Sequence, residues 1–261
     1  NQIFRSFLDQ FVIVFLDDIL IYSRTLVEHR RHVRQVLDVL RQHQLFAKES
    51  KCEFFRDHVE FLGHRVDRDG MHMMEDKVRA IREWPTPGSV EDIRSFLGMV
   101  GYYRKFIRDF SDIAAPLTQL LRKGVRFLWT DKQEQAFRAL IQAVSSAPTL
   151  ILPDPTKPYV ITADACGYGI GACLMQDHGK GLQPIAFLSK KLSVNELRFE
   201  NHERVLLALY RTLKEWRHYL YGSQFTLKTD HRNLIWLLTQ KQLSARQMHW
   251  LQYFQDFGGV I

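Results

Sequence analysis

Two adjacent carboxylates, Asp17 and Asp18, stand between apolar runs in Val12-Ile13-Val14-Phe15-Leu16-Asp17-Asp18-Ile19-Leu20-Ile21-Tyr22. Each run reads as a buried strand, and the aspartates fall where the chain must turn. Burying an ionised carboxylate is costly unless something pairs with it. Two of them at one hairpin tip therefore point to a divalent cation, and Mg2+ in particular takes a few carboxylates plus phosphate oxygens. The competing reading is a solvated Asp-Asp turn. A further carboxylate, Asp164, sits in Tyr159-Val160-Ile161-Thr162-Ala163-Asp164-Ala165, a second strand of apolar neighbours. An unpartnered charge inside such a strand is expensive, and metal coordination explains it.

The elements that must position these groups follow the hydrophobic spacing. Two strands around Asp17-Asp18 lead into a helix from Leu26 to His43, with Val33, Val36, Leu37 and Leu40 on one face. A second hairpin is expected from Cys52–Phe55 and Val59–Val66. Pro85-Thr86-Pro87-Gly88 breaks the chain, and Ser89 caps a helix carrying Ile93, Phe96, Leu97, Val100 and Tyr103, with Asp92 completing a weak capping box. Thr130 and Gln133 box the start of another helix. A proline-rich stretch with Pro148, Pro153, Pro155 and Pro158 follows. Beyond it come strands Tyr159–Ala165, Gly169–Met175 and Pro184–Leu188, a helix from about Glu203 to Leu220, and a strand Phe225–Thr229.

The 261 residues are 46% hydrophobic and 25% charged, ordinary for a folded protein and enough for two or three compact units. The net charge of +7 points to a polyanionic partner. No apolar run approaches the length of a membrane span and the start is not a signal peptide, so no membrane partner and no secretion are expected. Cys52, Cys166 and Cys173 lack metal spacing and read as buried thiols in a reducing compartment. The chain opens on Asn1 and closes on Gly258-Gly259-Val260-Ile261, which reads as the start of another strand, so a segment of a longer polyprotein is expected.

The order of these motifs resembles the reverse transcriptase of gypsy-type LTR retrotransposons along the whole chain. The resemblance rests on Phe15-Leu16-Asp17-Asp18, Ile21-Tyr22-Ser23-Arg24, Phe61-Leu62-Gly63-His64, Phe96-Leu97-Gly98 through Tyr102-Tyr103-Arg104-Lys105-Phe106, and Thr162-Ala163-Asp164-Ala165. It implies an α+β and α/β multidomain chain. Residues 1–75 would be the C-terminal part of a polymerase palm with a primer-grip hairpin. Residues 76–125 would be the helical thumb and 126–157 a connection. Residues 158–261 would be a C-terminally truncated RNase H-like domain, a mixed sheet with helices.

The resemblance also implies roles. Asp17 and Asp18 match two of three metal-binding aspartates of the polymerase, Asp17 the more direct ligand, and Phe15 replaces the usual tyrosine near the primer end. Two Mg2+ or Mn2+ ions per site would drive nucleotidyl transfer in an intact parent. Asp164 and Asp230 match RNase H metal ligands, with capping of the following helix as the alternative for Asp230. Val205 occupies the position of the RNase H glutamate. Glu203, two residues earlier, is rotated about 200° around a helix and is a weak substitute. Asn201 shares the face of Val205 but is a neutral, weaker ligand. With the family's last aspartate expected beyond Ile261, little RNase H activity is expected of the segment alone.

Contacts to nucleic acid are expected from Gly63 and His64 in the grip, Arg104 and Lys105 in the thumb, and His231 after the second RNase H aspartate. For single cations a solvated helix face is the alternative, and for His231 an exposed turn. Trp216 reads as core. Partners would be RNA–DNA hybrid, template-primer duplex, dNTPs and the remaining polyprotein, including fingers, protease and integrase, in cytoplasmic virus-like particles and the nucleus. The alternative is a decayed or host-retained remnant that binds nucleic acid without catalysis.

Overall fold

A computed structural model describes residues 2–8, 10–165, 168–229 and 243–257. The chain divides into two compact units, 1–68 and 69–261.

In the first unit, strands β1 (Val12–Phe15) and β2 (Asp18–Ile21) form an antiparallel hairpin in which Phe15 lies opposite Asp18. Helix α1 (Leu26–Gln42) starts at a full capping box, Thr25 with Glu28, and ends one residue before the expected His43. Its inner face packs Val36 and Leu40 against Phe4, Phe11 and Val12. Strands β3 (His58–Phe61) and β4 (His64–Asp67) form a second hairpin.

That hairpin corrects the expected one. Cys52–Phe55 is not a strand, because Phe55 turns into the left-handed region at φ 56° and breaks the extended run. The tight turn is Leu62-Gly63 instead, with φ 47° and 65°. Positive φ at both central residues suits the right-handed twist of the flanking strands, and glycine supplies it without strain at the second position.

The second unit begins with β5 (Gly70–Met73). Helices α2 (Glu75–Arg82) and α3 (Val90–Tyr102) follow, then a 3-10 turn (Arg104–Phe106) and the short α4 (Phe110–Ile113) and α5 (Ala115–Leu120), and then α6 (Asp131–Ser145). Their inward faces make one cluster that includes Ile81, Ile93, Phe96, Leu117, Phe137 and Leu140. The expected boundary between thumb and connection at 125/126 thus falls inside a single core. Phe137 and Leu140, on the far side of it, are as fully buried as Phe96.

The remaining sheet has the order β8-β7-β6-β9, from β6 (Tyr159–Ala165), β7 (Gly169–Asp177), β8 (Leu182–Lys191) and β9 (Phe225–Lys228). β6, β7 and β8 are antiparallel neighbours, and β9 runs parallel to β6. A register shift at Leu174/Met175 accommodates Pro184, which has no N–H for the ladder. Helix α7 (Asn201–Glu215) covers one face of the sheet, followed by α8 (Arg217–Leu220) and α9 (Ala245–Gln255). The expected single helix to Leu220 breaks at Trp216, whose ring is buried in the core as expected. No helix among the described residues is long and apolar enough to cross a membrane.

Candidate functional sites

At the β1–β2 tip the loop is two residues long, Leu16 and Asp17. Leu16 is held at φ 51°, a left-handed conformation that costs a residue with a Cβ about 1–2 kcal/mol. Strain of this kind concentrates where a loop has been shaped for a task. Asp17 and Asp18 are both exposed, which corrects the expectation of carboxylates buried between strands. The strands are only half buried, since Ile13 and Phe15 face outward while Val12 packs inward. Phe15, 51% exposed, lies directly opposite Asp18 and shares its face. The tip therefore presents two hard oxygen donors and an aromatic ring. Among the described residues no group of three or more His, Cys, Asp or Glu side chains is placed to hold a metal. The two aspartates nonetheless have the donor chemistry for a hard cation whose other ligands come from phosphate and water.

The grip-like turn uses its histidine internally. His64 is 7% exposed, and its Nδ1 donates to the Leu62 carbonyl at 2.6 Å. The imidazole pins the Leu62-Gly63 turn. Gly63 lies at the turn itself.

In the second unit, alternation along β6 puts Ala163 and Ala165 in the core beneath α7 and leaves Asp164 on the other face, exposed. The expectation of a charge inside a buried strand is therefore also corrected. The Asp164 Oδ1 accepts from the Ala165 N–H at 2.7 Å. Val205 is 1% exposed and packs in the α7 core that includes Ala163 and Ala165, behind the sheet. Glu203 pairs with Arg246 of α9 at 2.7 Å and accepts from Gln247 at 3.3 Å. It is a structural ion pair, not a free ligand. Asn201 opens α7. Asp230 and His231 lie outside the described residues.

The two thumb cations are also committed locally. The Arg104 guanidinium donates to the Ser189 carbonyl on β8 and lies over the Phe110 ring at 5.3 Å. Lys105 is half buried, with Nζ 2.9 Å from the Met71 sulfur and 5.6 Å from the Phe106 ring centre. Burial pushes its ammonium down to about 8.

Spacing in the sequence gave no sign of Asp109 and Asp112. They stand beside the Asp164 row of the sheet although more than fifty residues separate Asp164 from Asp112 in the sequence. A Cβ on Gly171, the direct β7 partner of Asp164, would lie 2.7 Å from the Asp109 Oδ1. One on Gly169 would lie 2.8 Å from the Asp112 Oδ1. Burial, Asp112 and Asp164 raise the Asp109 carboxyl above its ordinary range, against the pull of Arg108.

A sheet of this order with a helix across it is preceded in the chain by helices and a hairpin bearing paired aspartates. The family described as reverse transcriptase (RNA-dependent DNA polymerase) matches residues 1–66, and the RNase H-like domain found in reverse transcriptase matches residues 154–257. The chain thus carries a reverse transcriptase segment and an RNase H-like domain, and its relatives are transposon Pol polyproteins. It is 40% identical over 252 residues to the retrovirus-related Pol polyprotein from transposon 297 of Drosophila melanogaster, covering 96% of this chain and 23% of that protein. It is 35% identical over 266 residues to the transposon Tf2-3 polyprotein of Schizosaccharomyces pombe, covering 100% of this chain and 20% of that one. The chain thus spans about a fifth of the length of these relatives. In fold it is similar to the foamy viral protease-reverse transcriptase in complex with RNA/DNA hybrid, at TM-score 0.78 and 23% identity over 98% of this chain and 35% of that one. A second foamy viral structure, the protease-reverse transcriptase dRH with ds DNA, gives 0.81 and 24% over 98% of this chain and 46% of that one.

Proposed function

We propose that the chain is the palm-to-RNase H segment of a gypsy-type retrotransposon polyprotein. Its parent would copy RNA and DNA templates into DNA by two-metal nucleotidyl transfer. The observation that carries this reading is the strained β1–β2 tip, where Asp17 and Asp18 stand exposed beside Phe15. In the parent, Asp17 and Asp18 would hold Mg2+ or Mn2+. A bound divalent ion would lower the pKa of the attacking hydroxyl and stabilise the charge of the leaving group. The residues of this chain would supply oxygen donors fixed by a two-residue loop and a ring to orient the primer end. The relatives' family and the nucleic-acid complexes of similar fold support a duplex partner.

The test is Mg2+-dependent primer extension by the intact parent carrying Asp17→Asn. Loss of extension by at least about a hundredfold is expected, in line with removal of a group that stabilises transition-state charge. Unchanged extension refutes the assignment.

A second reading holds for the RNase H-like half: it binds nucleic acid and cleaves poorly. Val205 supports it, an apolar core residue where the resembling family has glutamate. Mg2+-dependent cleavage of an RNA–DNA hybrid by the purified chain, abolished by Asp164→Asn, would overturn it.

A further inference from the structure

Helix α1 divides its residues sharply between two sides. At about 100° per residue, Val33, Val36 and Leu40 point one way, towards the core that holds Phe4, Phe11 and Val12. Arg30, Arg31, Arg34 and Arg41 all fall on the opposite side, within an arc of about 100° centred near Arg34. All four are exposed, and among the described residues none of them has a carboxylate partner. Asp38, the carboxylate on the same arc, is exposed too and pairs with neither Arg34 nor Arg41. Other helices of the chain behave differently. Arg94 of α3 pairs with Glu91, Arg138 of α6 with Glu134 and Arg246 of α9 with Glu203. On α1, Arg30 and Arg34 instead stand four residues apart, a spacing at which like charges repel.

The stripe lies on the far side of the hairpin from the paired aspartates. Alternation turns Val12, Val14, Ile19 and Ile21 towards α1, and turns Phe15 and Asp18 the other way. With α1 beneath the hairpin, its outer arc faces away from the surface that presents Phe15 and Asp18.

We propose that the α1 arginines bind a nucleic-acid strand by its phosphates, at a site separate from the β1–β2 tip. A guanidinium takes a phosphate bidentately, and four of them in a line match a polyanion with regularly spaced charges. From Arg30 to Arg41 the stripe covers about 16 Å of helix axis, the length of about five phosphates at 3.4 Å each. α1 carries no Phe, Tyr or Trp on which a base could stack. Contacts confined to phosphates carry no sequence information, so a strand of any sequence fits. The site needs no metal and no catalysis, and it stands whether or not Asp17 and Asp18 hold one.

The test titrates the full chain with a labelled RNA of about twenty nucleotides at several salt concentrations between about 50 and 200 mM. The stripe variant carries Arg30→Gln, Arg31→Gln, Arg34→Gln and Arg41→Gln, and glutamine keeps the helix propensity. The control variant carries Arg79→Gln, Lys123→Gln, Lys132→Gln and Lys180→Gln, which removes the same charge from exposed, dispersed positions. The stripe variant should bind about tenfold more weakly at the lowest salt. Its slope of log affinity against log salt should fall by about 3, four contacts at about 0.7 each for a single strand. The control should change both by less than half as much. The urea midpoint of the stripe variant should not fall, because like charges have been removed from one helix face. A second measurement needs no variant: phenylglyoxal, which modifies accessible guanidiniums, should label Arg34 and Arg41 of the wild-type chain several-fold more slowly when RNA is bound.

Equal losses in the stripe variant and the control overturn the proposal, because net charge alone then accounts for binding. So does unaltered RNA binding by the folded stripe variant, or labelling of the α1 arginines that ignores RNA. If the wild-type chain binds phosphatidylserine vesicles through these arginines and RNA not at all, the polyanion is a membrane surface and the nucleic-acid assignment fails.

Discussion

Glu203 of α7 and Arg246 of α9 form an ion pair of 2.7 Å, and Arg246 in turn lies 3.9 Å from the Phe199 ring centre. Glu203 is therefore a clamp between two helices, with Gln247 as a second donor. Glu203→Gln should lower stability by about 1 kcal/mol, a modest value because Arg246 is half exposed and solvent screens the pair. Urea unfolding of the two chains measures it. Binding of Mn2+ by the chain, followed by calorimetry, should not change with the substitution. A lost Mn2+ site would show Glu203 to be a ligand after all.

Gln176 is fully buried at the end of β7 and uses its whole amide. Its Nε2 donates to the carbonyls of Asp154 and Lys157 at 2.8 and 2.9 Å, and its Oε1 accepts from the Asp154 N–H at 2.9 Å. It fastens the proline-rich stretch to the sheet. Gln176→Leu leaves three partly buried backbone groups without that partner and should cost about 1–2 kcal/mol. The urea midpoint measures the loss, and limited proteolysis near Pro155 should accelerate.

Burial holds the Lys105 ammonium at about 8 rather than its ordinary 10.5. Between these values the unfolded chain binds the proton and the folded chain does not, so stability rises with pH across that window. Below about 8 the whole penalty is present. Lys105→Met keeps the packing against Met71 and Phe106 and removes the charge. The variant should be more stable than the wild type at pH 7 by about 1 kcal/mol, after allowance for solvent around a half-buried group. The advantage should shrink as the pH passes 8 towards 10.5. Equal urea midpoints at pH 7 would contradict it.

Local chemistry made much of the fold legible. Thr25 with Glu28 and Thr130 with Gln133 mark helix starts in the sequence and cap them in the structure. The alternation from Tyr159 to Ala165 gives β6 to the residue. What the sequence concealed depended on faces and distant partners. The apolar run around Asp17-Asp18 looks buried because composition does not say which side of a hairpin packs, and here one side faces outward. Asp164 looked costly for the same reason. The commitments of Arg104 to Ser189 and of Glu203 to Arg246 span 85 and 43 residues, a range at which periodicity carries no information. Phe55 hid the hairpin register, because nothing in an aromatic residue announces a positive φ.

Val205 gives the sharpest contrast between ancestry and structure. A glutamate there would restore the residue type of the resembling family. In this chain, however, position 205 is 1% exposed among Leu206, Leu209 and the alanines of β6, on the opposite side of the sheet from Asp164. A carboxylate in that setting either ionises without a partner or is protonated, and both states cost stability. Val205→Glu should therefore destabilise the chain by about 3–5 kcal/mol, and by less at pH 4 than at pH 7, because the neutral acid is the cheaper form to bury. It should not confer hybrid cleavage. Thermal unfolding at both pH values checks the first expectation, and a fluorogenic RNA–DNA hybrid checks the second. A stable, cleaving variant would mean that α7 can turn its 205 side chain towards Asp164, and the packing described above would then be only one of two arrangements of that helix.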